Sequence, residues 1–164
     1  MNKILNIVVA GVLTIGLNGC LDSNSEISCS GETEMVLVGE IILPTVKDKF
    51  MVQMINETDP ENEMAGLLYG MVKNTAITLG KEPDFSKIKN YESSLATVEK
   101  EFSKYVFNIT DIRTTSKDKE LNKVECVGTA NIQLENYSVD YSVTYNAQLG
   151  DDKENVFVEV SELN

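Results

Sequence analysis

Three cysteines and twenty-six carboxylates carry most of the chemistry open to this chain, which has 164 residues and no histidine. The missing imidazole removes the commonest general base near neutral pH and the commonest metal ligand. A Ser-His-Asp or Cys-His nucleophile therefore cannot be assembled within the chain. Neighbouring carboxylates invite an acid–base reading: Glu61 with Glu63, Glu99 with Glu101, Asp151 with Asp152. Two carboxylates can cleave a glycosidic bond when they flank it. Each of these pairs, however, falls on a polar face or in a turn, and a chain so rich in acids produces neighbours by chance. Residues 150–155 offer oxygen ligands but lack the alternating spacing and terminal Glu of a calcium loop. A hairpin turn explains them better. Arg113 is the only arginine against thirteen lysines. Its planar fork suits a carboxylate or phosphate, and an internal ion pair near a sheet edge is the favoured reading. Asn131, Gln133, Asp140, Ser142 and Thr144 put mostly uncharged polar groups on neighbouring strands, as a binding face or as ordinary solvated positions. No catalytic residue, metal or cofactor is expected.

The elements that position these groups follow from hydrophobic period. Met35, Val38, Ile42, Val46, Phe50 and Met54 recur every three or four residues and predict a helix. Ser30 can cap it and Glu32 and Glu34 suit its first turn. Pro44 is expected to kink or break it. Residues 35–43 are rich enough in β-branched side chains to suit a strand, but the continued spacing favours the helix. Asp59-Pro60 signals a second helix start. Met64, Leu67, Leu68, Met71, Val72, Thr75, Ala76 and Leu79 give it one apolar face, and Gly80 ends it. A core face is the first reading of that stripe, and an adaptable methionine-rich binding surface the second. Gly66 and Gly70 either allow close helix packing or weaken the helix. A third helix is predicted from Tyr91 to about Ser103, with Tyr91, Leu95, Val98 and Phe102 on one side.

From Tyr105 the period changes to two. Tyr105, Phe107 and Ile109 alternate, and Ile112 falls out of phase, which predicts a bulge near Asp111. Alternation resumes over 124–134, 139–147 and 156–160, with turns at 117–120, 135–136 and 150–153. The expected fold is α+β: N-terminal helices packed on one face of a four-stranded antiparallel meander.

The N-terminus supplies an address. Lys3 precedes an apolar run from Ile4 to Leu17, suited to a signal-peptide core and shorter than the roughly 20 residues of a membrane span. Leu17-Asn18-Gly19-Cys20 resembles the bacterial lipoprotein processing motif. The resemblance implies cleavage before Cys20, diacylation of its thiol, and usually a third chain on the new amine. Two or three chains hold a membrane stably where one does so only marginally. Leu21 stands where an Asp would signal inner-membrane retention in enteric-type lipoproteins, so the resemblance implies an outer-membrane protein facing the periplasm. Residues 1–19 are then the signal, 20–28 the lipidated cysteine and tether, and 29–164 one α+β domain. With Cys20 acylated, Cys29 and Cys126 remain in an oxidising compartment, where a disulfide is expected. Two thiols without histidine are too few for zinc. The helices-then-sheet pattern is also similar to the cystatin-like and nuclear-transport-factor-2-like architectures, and to small envelope lipoproteins with a Cys before the first helix and another in a mid-sheet strand. That likeness carries over no functional residue.

The formal charge is −12; removing Lys3, the one charged side chain before Cys20, makes it −13. Phosphate repulsion then argues against nucleic acid. Apart from membrane attachment through the anchor, a basic envelope protein is the expected partner, since complementary charge speeds encounter. The same acidity also serves a merely solvated surface. The expected function is a non-enzymatic protein-binding module, in its sharper form an inhibitor or immunity-type protein against a basic envelope-directed enzyme. A structural or assembly factor of an envelope machine and a small-ligand carrier are the alternatives.

Overall fold

The computed structural model describes residues 13–14, 27–59 and 64–164. Its elements are β1 (Leu13–Thr14), α1 (Glu32–Thr58), α2 (Ala65–Leu79), α3 (Tyr91–Phe102), β2 (Val106–Asp118), β3 (Lys123–Gln133), β4 (Ser138–Leu149) and β5 (Val156–Leu163). Three helices thus precede a four-stranded antiparallel meander, and the fold is α+β. Sheet order is β1-β5-β4-β3-β2, with the two-residue β1 paired on β5. The expected signal segment otherwise lies outside the described residues, as do the lipidation site Cys20 and the pair Glu61 and Glu63.

The chain divides into two compact units, one of Met1–Leu43, Val106–Gln133 and Tyr137–Asn164, the other of Pro44–Tyr105 and Leu134–Asn136. In the first, strand alternation buries Val124, Cys126, Ala130 and Ile132 of β3, then Val143, Tyr145 and Ala147 of β4, then Val156, Val158 and Val160 of β5. The α1 segment before Pro44 covers this face with Leu37, Val38, Ile41 and Ile42, all buried. A Cβ on Gly39 would lie 2.9 Å from the Phe107 ring, so that glycine permits the close approach of α1 to β2.

The bulge expected near Asp111 is present. Thr110 pairs with Thr129 and Arg113 with Val127, leaving one residue too many on β2, and Asp111 adopts φ 53°. A second irregularity lies between Thr114 and Ser116. Thirteen residues of β2 therefore oppose eleven of β3. Bulges and charge on such an edge discourage a further strand from joining it. A third irregularity falls opposite Thr144 and Tyr145. Tyr145 pairs with Val160 and Thr144 with Glu162, so Ser161 is the extra residue and Leu163 returns to the buried face.

The second unit holds the rest of α1 with α2 and α3. Val46, Phe50, Met51, Met54 and Ile55 of α1 are buried, with Val98 of α3 and Leu134. Phe50 meets Phe102 edge-on, ring centroids 5.8 Å apart. Two expectations need correction. Pro44 does not end the helix: α1 runs unbroken for 27 residues. Proline removes the bond to the Glu40 carbonyl, but Glu40 and Pro44 are both exposed, so water can take up the freed carbonyl. Nor does Asp59 start α2. Its N–H still bonds the Ile55 carbonyl at the end of α1, its buried carboxylate faces Lys89 at 3.6 Å, and α2 begins at Ala65. Gly80 closes α2 as expected, in the left-handed region at φ 61°.

Candidate functional site

The largest departure from the sequence reading is on α2. Its stripe was expected first as core, yet Met64 is 61% exposed, Leu67 54%, Met71 59% and Leu79 60%, with Leu68 and Thr75 also exposed. Val72 is half-buried, and only Ala76 of that stripe is buried. The helix instead seats its other side, through Ala65, Gly66, Tyr69 and Ala76. Gly66 makes this seating close. Its N–H bonds Asn56 Oδ1 at 3.0 Å, and a Cβ there would lie 2.6 Å from that oxygen and 2.8 Å from Val52. Helix α2 therefore has two apolar sides, one used within the unit and one not. Large exposed apolar patches on soluble domains mark interaction surfaces.

The stripe has a wall. Leu68, Met71, Val72, Thr75, Ala76 and Leu79 form a groove of about 380 Å³ with Lys81, Glu82 and Asp84 of the following loop. That loop is pinned by an aromatic stack. Phe85 lies 5.0 Å from Tyr69 and 4.5 Å from Tyr91, centroid to centroid, with all three rings within 27° of parallel. Tyr69 in turn donates to Asp48 Oδ1 at 3.1 Å, and Lys73 pairs with the other oxygen of Asp48. Burial, then the Asp48 charge, pushes the Tyr69 hydroxyl well above its usual range, so it stays a donor. Asp84 accepts the Ser86 N–H at 3.0 Å, and its bonds to Ser86 hold its carboxyl below the usual range. The wall is thus ordered and carries two acids to one lysine. Phe85 was hidden in a connection that reads as polar; a lone aromatic among charged residues was the signal available.

The cysteine pairing expected from the anchored reading is present. Cys29 and Cys126 are bridged across a separation of 97 residues, Cα atoms 5.7 Å apart. Thr114 Oγ1 donates to Cys29 Sγ at 3.2 Å, and the Tyr145 hydroxyl donates to the Cys29 carbonyl. Glu34 reaches back from the first turn of α1 to the Ser28 N–H. The segment Ser28-Cys29 ahead of α1 is therefore held by a covalent bond and three polar contacts.

The six polar residues singled out from sequence do share one sheet face. Arg113, Val127 and Thr144 form one cross-strand row, Thr129 and Ser142 the next, Asn131 and Asp140 the next, and Gln133 pairs with Ser138 at its end. Among the six, Asn131 and Asp140 bond each other, and Asn131 and Thr144 also bond neighbours outside the set. Thr110 donates to Asn131 at 2.9 Å, Asn131 to Asp140 at 2.8 Å, and Thr144 to Glu162 at 3.5 Å, while Ser142 exchanges backbone bonds with Asn164. Arg113 is exposed and makes no ion pair among the described residues, contrary to the favoured reading.

One member of each described carboxylate pair, Glu101 and Asp152, makes structural hydrogen bonds. Glu101 accepts from the backbone and side chain of Asn136, which ties α3 to the β3–β4 turn and holds its carboxyl below the usual range. Asp152 accepts the N–H groups of Glu154 and Asn155, which fixes the last hairpin turn. Among the described residues no cluster of three or more potential metal ligands occurs, and no helix is long and apolar enough to cross a membrane. No protein-family model, curated protein or solved structure matches this chain.

Proposed function

We propose that this chain is a lipid-anchored envelope protein whose work is to bind another protein, and that it is not an enzyme. The observation that supports this is the unused apolar stripe of α2, with its ordered acidic wall. Exposed Met and Leu side chains adapt to a partner's shape, and a fixed groove lowers the ordering cost of binding. Acylated Cys20 holds the domain at the periplasmic side of the outer membrane. The acidic surface, −13 after processing, favours a basic partner by steering. In the sharper form of the reading that partner is an envelope-directed enzyme, blocked while it is bound.

Capture by the lipidated protein from host membranes tests the reading. One basic protein, recovered at equal stoichiometry and progressively lost as salt rises, is the expected result. Recovery indifferent to salt would remove charge steering, and recovery of nothing above a Cys20-anchored control domain would remove the protein-binding role.

A further inference from the structure

The stripe on α2 has a shape and a charge setting that narrow what can lie on it. Leu67, Leu68, Met71, Thr75 and Leu79 line one side of a helix of 15 residues, and Met64 at its N-cap extends the same side. At about 1.5 Å per residue that is a strip roughly 22 Å long. It is matched by an apolar helix face of similar length, the helix-in-groove mode of recognition. The rest of α2 offers one charged side chain, Lys73, already paired with Asp48. The wall beside the stripe carries Glu82 and Asp84 against Lys81.

Other occupants fit less well. A bilayer surface is met by helices rich in Lys and Arg with aromatic anchors. Here the exposed stripe has no aromatic residue, the chain has no tryptophan, and its net charge is −12. A second copy would bring the same net charge and the same Glu82 and Asp84 to the seam. A single helical segment needs no more than the strip and its wall.

Resting on the protein-binding reading, we propose that the α2 groove takes one amphipathic α-helix of a partner, apolar on the face it lays on the stripe and basic along its flanks. The basic flank lies against Glu82 and Asp84, and the apolar face covers Leu67, Leu68, Met71 and Leu79. The unit loses nothing when the groove is empty, because α2 is already seated through its other side.

The test uses the disulfide-bonded full chain and two synthetic helices of about 18 residues, Leu at i, i+3, i+4 and i+7 in both. One carries Lys at the remaining positions, the other Glu. The Leu–Lys helix is expected to bind in the micromolar range and the Leu–Glu helix at least tenfold more weakly. Leu67→Gln with Met71→Gln should weaken the Leu–Lys helix at least tenfold while the thermal melt is unchanged. Glu82→Gln with Asp84→Asn should flatten its salt dependence. Equal binding by wild type and the stripe variant would mean general charge adhesion and overturn the proposal. If that variant still fails to capture the native partner from membranes, the helical occupant is wrong and the protein-binding role survives. If capture is also unaffected, the α2 stripe falls as the docking face, and the protein-binding role falls only if the wild-type chain captures nothing above the control.

Discussion

Cys126 and Tyr145 sit opposite each other on β3 and β4, and both act on Cys29. One holds its sulfur and the other its carbonyl. The disulfide closes a loop of nearly a hundred residues, for which the chain-entropy account gives about 4–5 kcal/mol. Cys126→Ala should therefore lower unfolding free energy by roughly that much, read by urea denaturation beside the reduced wild type. The Tyr145 hydroxyl is pushed up to about 12 by burial, with the Glu34 charge adding to it. A tyrosine raised in the folded state contributes stability that is complete below the unfolded value of about 10. That contribution is lost as pH climbs through the folded value. Alkaline titration followed by tyrosinate absorbance should show one group ionising near 12, absent in Tyr145→Phe. That variant should cost about 1–3 kcal/mol at neutral pH, since the Cys29 carbonyl is left without its partner.

Among the elements, α2 carries the sharpest contrast between what sequence tells and what it hides. Its helical period, its stop at Gly80 and its apolar stripe were all legible. Its orientation was not, because a stripe at helical spacing reads the same whether it meets a core or a partner. The second apolar side, built from small Ala65, Gly66 and Ala76 around Tyr69, is too slight to register as a face in a hydropathy pattern. The two glycines four apart also separate only in the structure. Gly66 sits against Asn56 and Val52, whereas nothing lies within 4 Å of a Cβ on Gly70. Gly70→Ala should stabilise by about 0.5–1 kcal/mol through helix propensity, and Gly66→Ala should destabilise despite the same gain. Chemical denaturation of the two variants gives opposite signs if α2 is seated as described. The strands were easier. Period-two alternation and charged turns marked all four, and the phase slip at Ile112 located a bulge. The Ser161 irregularity escaped notice because Leu163 is a single residue beyond it. Pro44 misled because the exposure that lets a helix tolerate proline is a tertiary fact.

For the molecule as a whole, two claims stand together: an address set by Cys20 and a docking face set by α2. The first predicts that metabolically supplied labelled fatty acid enters the wild-type chain and not Cys20→Ser, and that the serine variant leaves the membrane fraction. The second is the central one, and it competes with the polar sheet face that sequence alone singled out. That face is real, but its Asn131, Asp140 and Thr144 groups mostly bond to their neighbours, whereas the α2 stripe has nothing on it among the described residues. Site-specific photo-crosslinking in host membranes decides between them most directly, with the crosslinker placed in turn at Met71 and at Gln133. The account predicts a single covalent partner from position 71 and none from position 133. A partner captured from 133 but not from 71 would contradict it and return the binding site to the sheet.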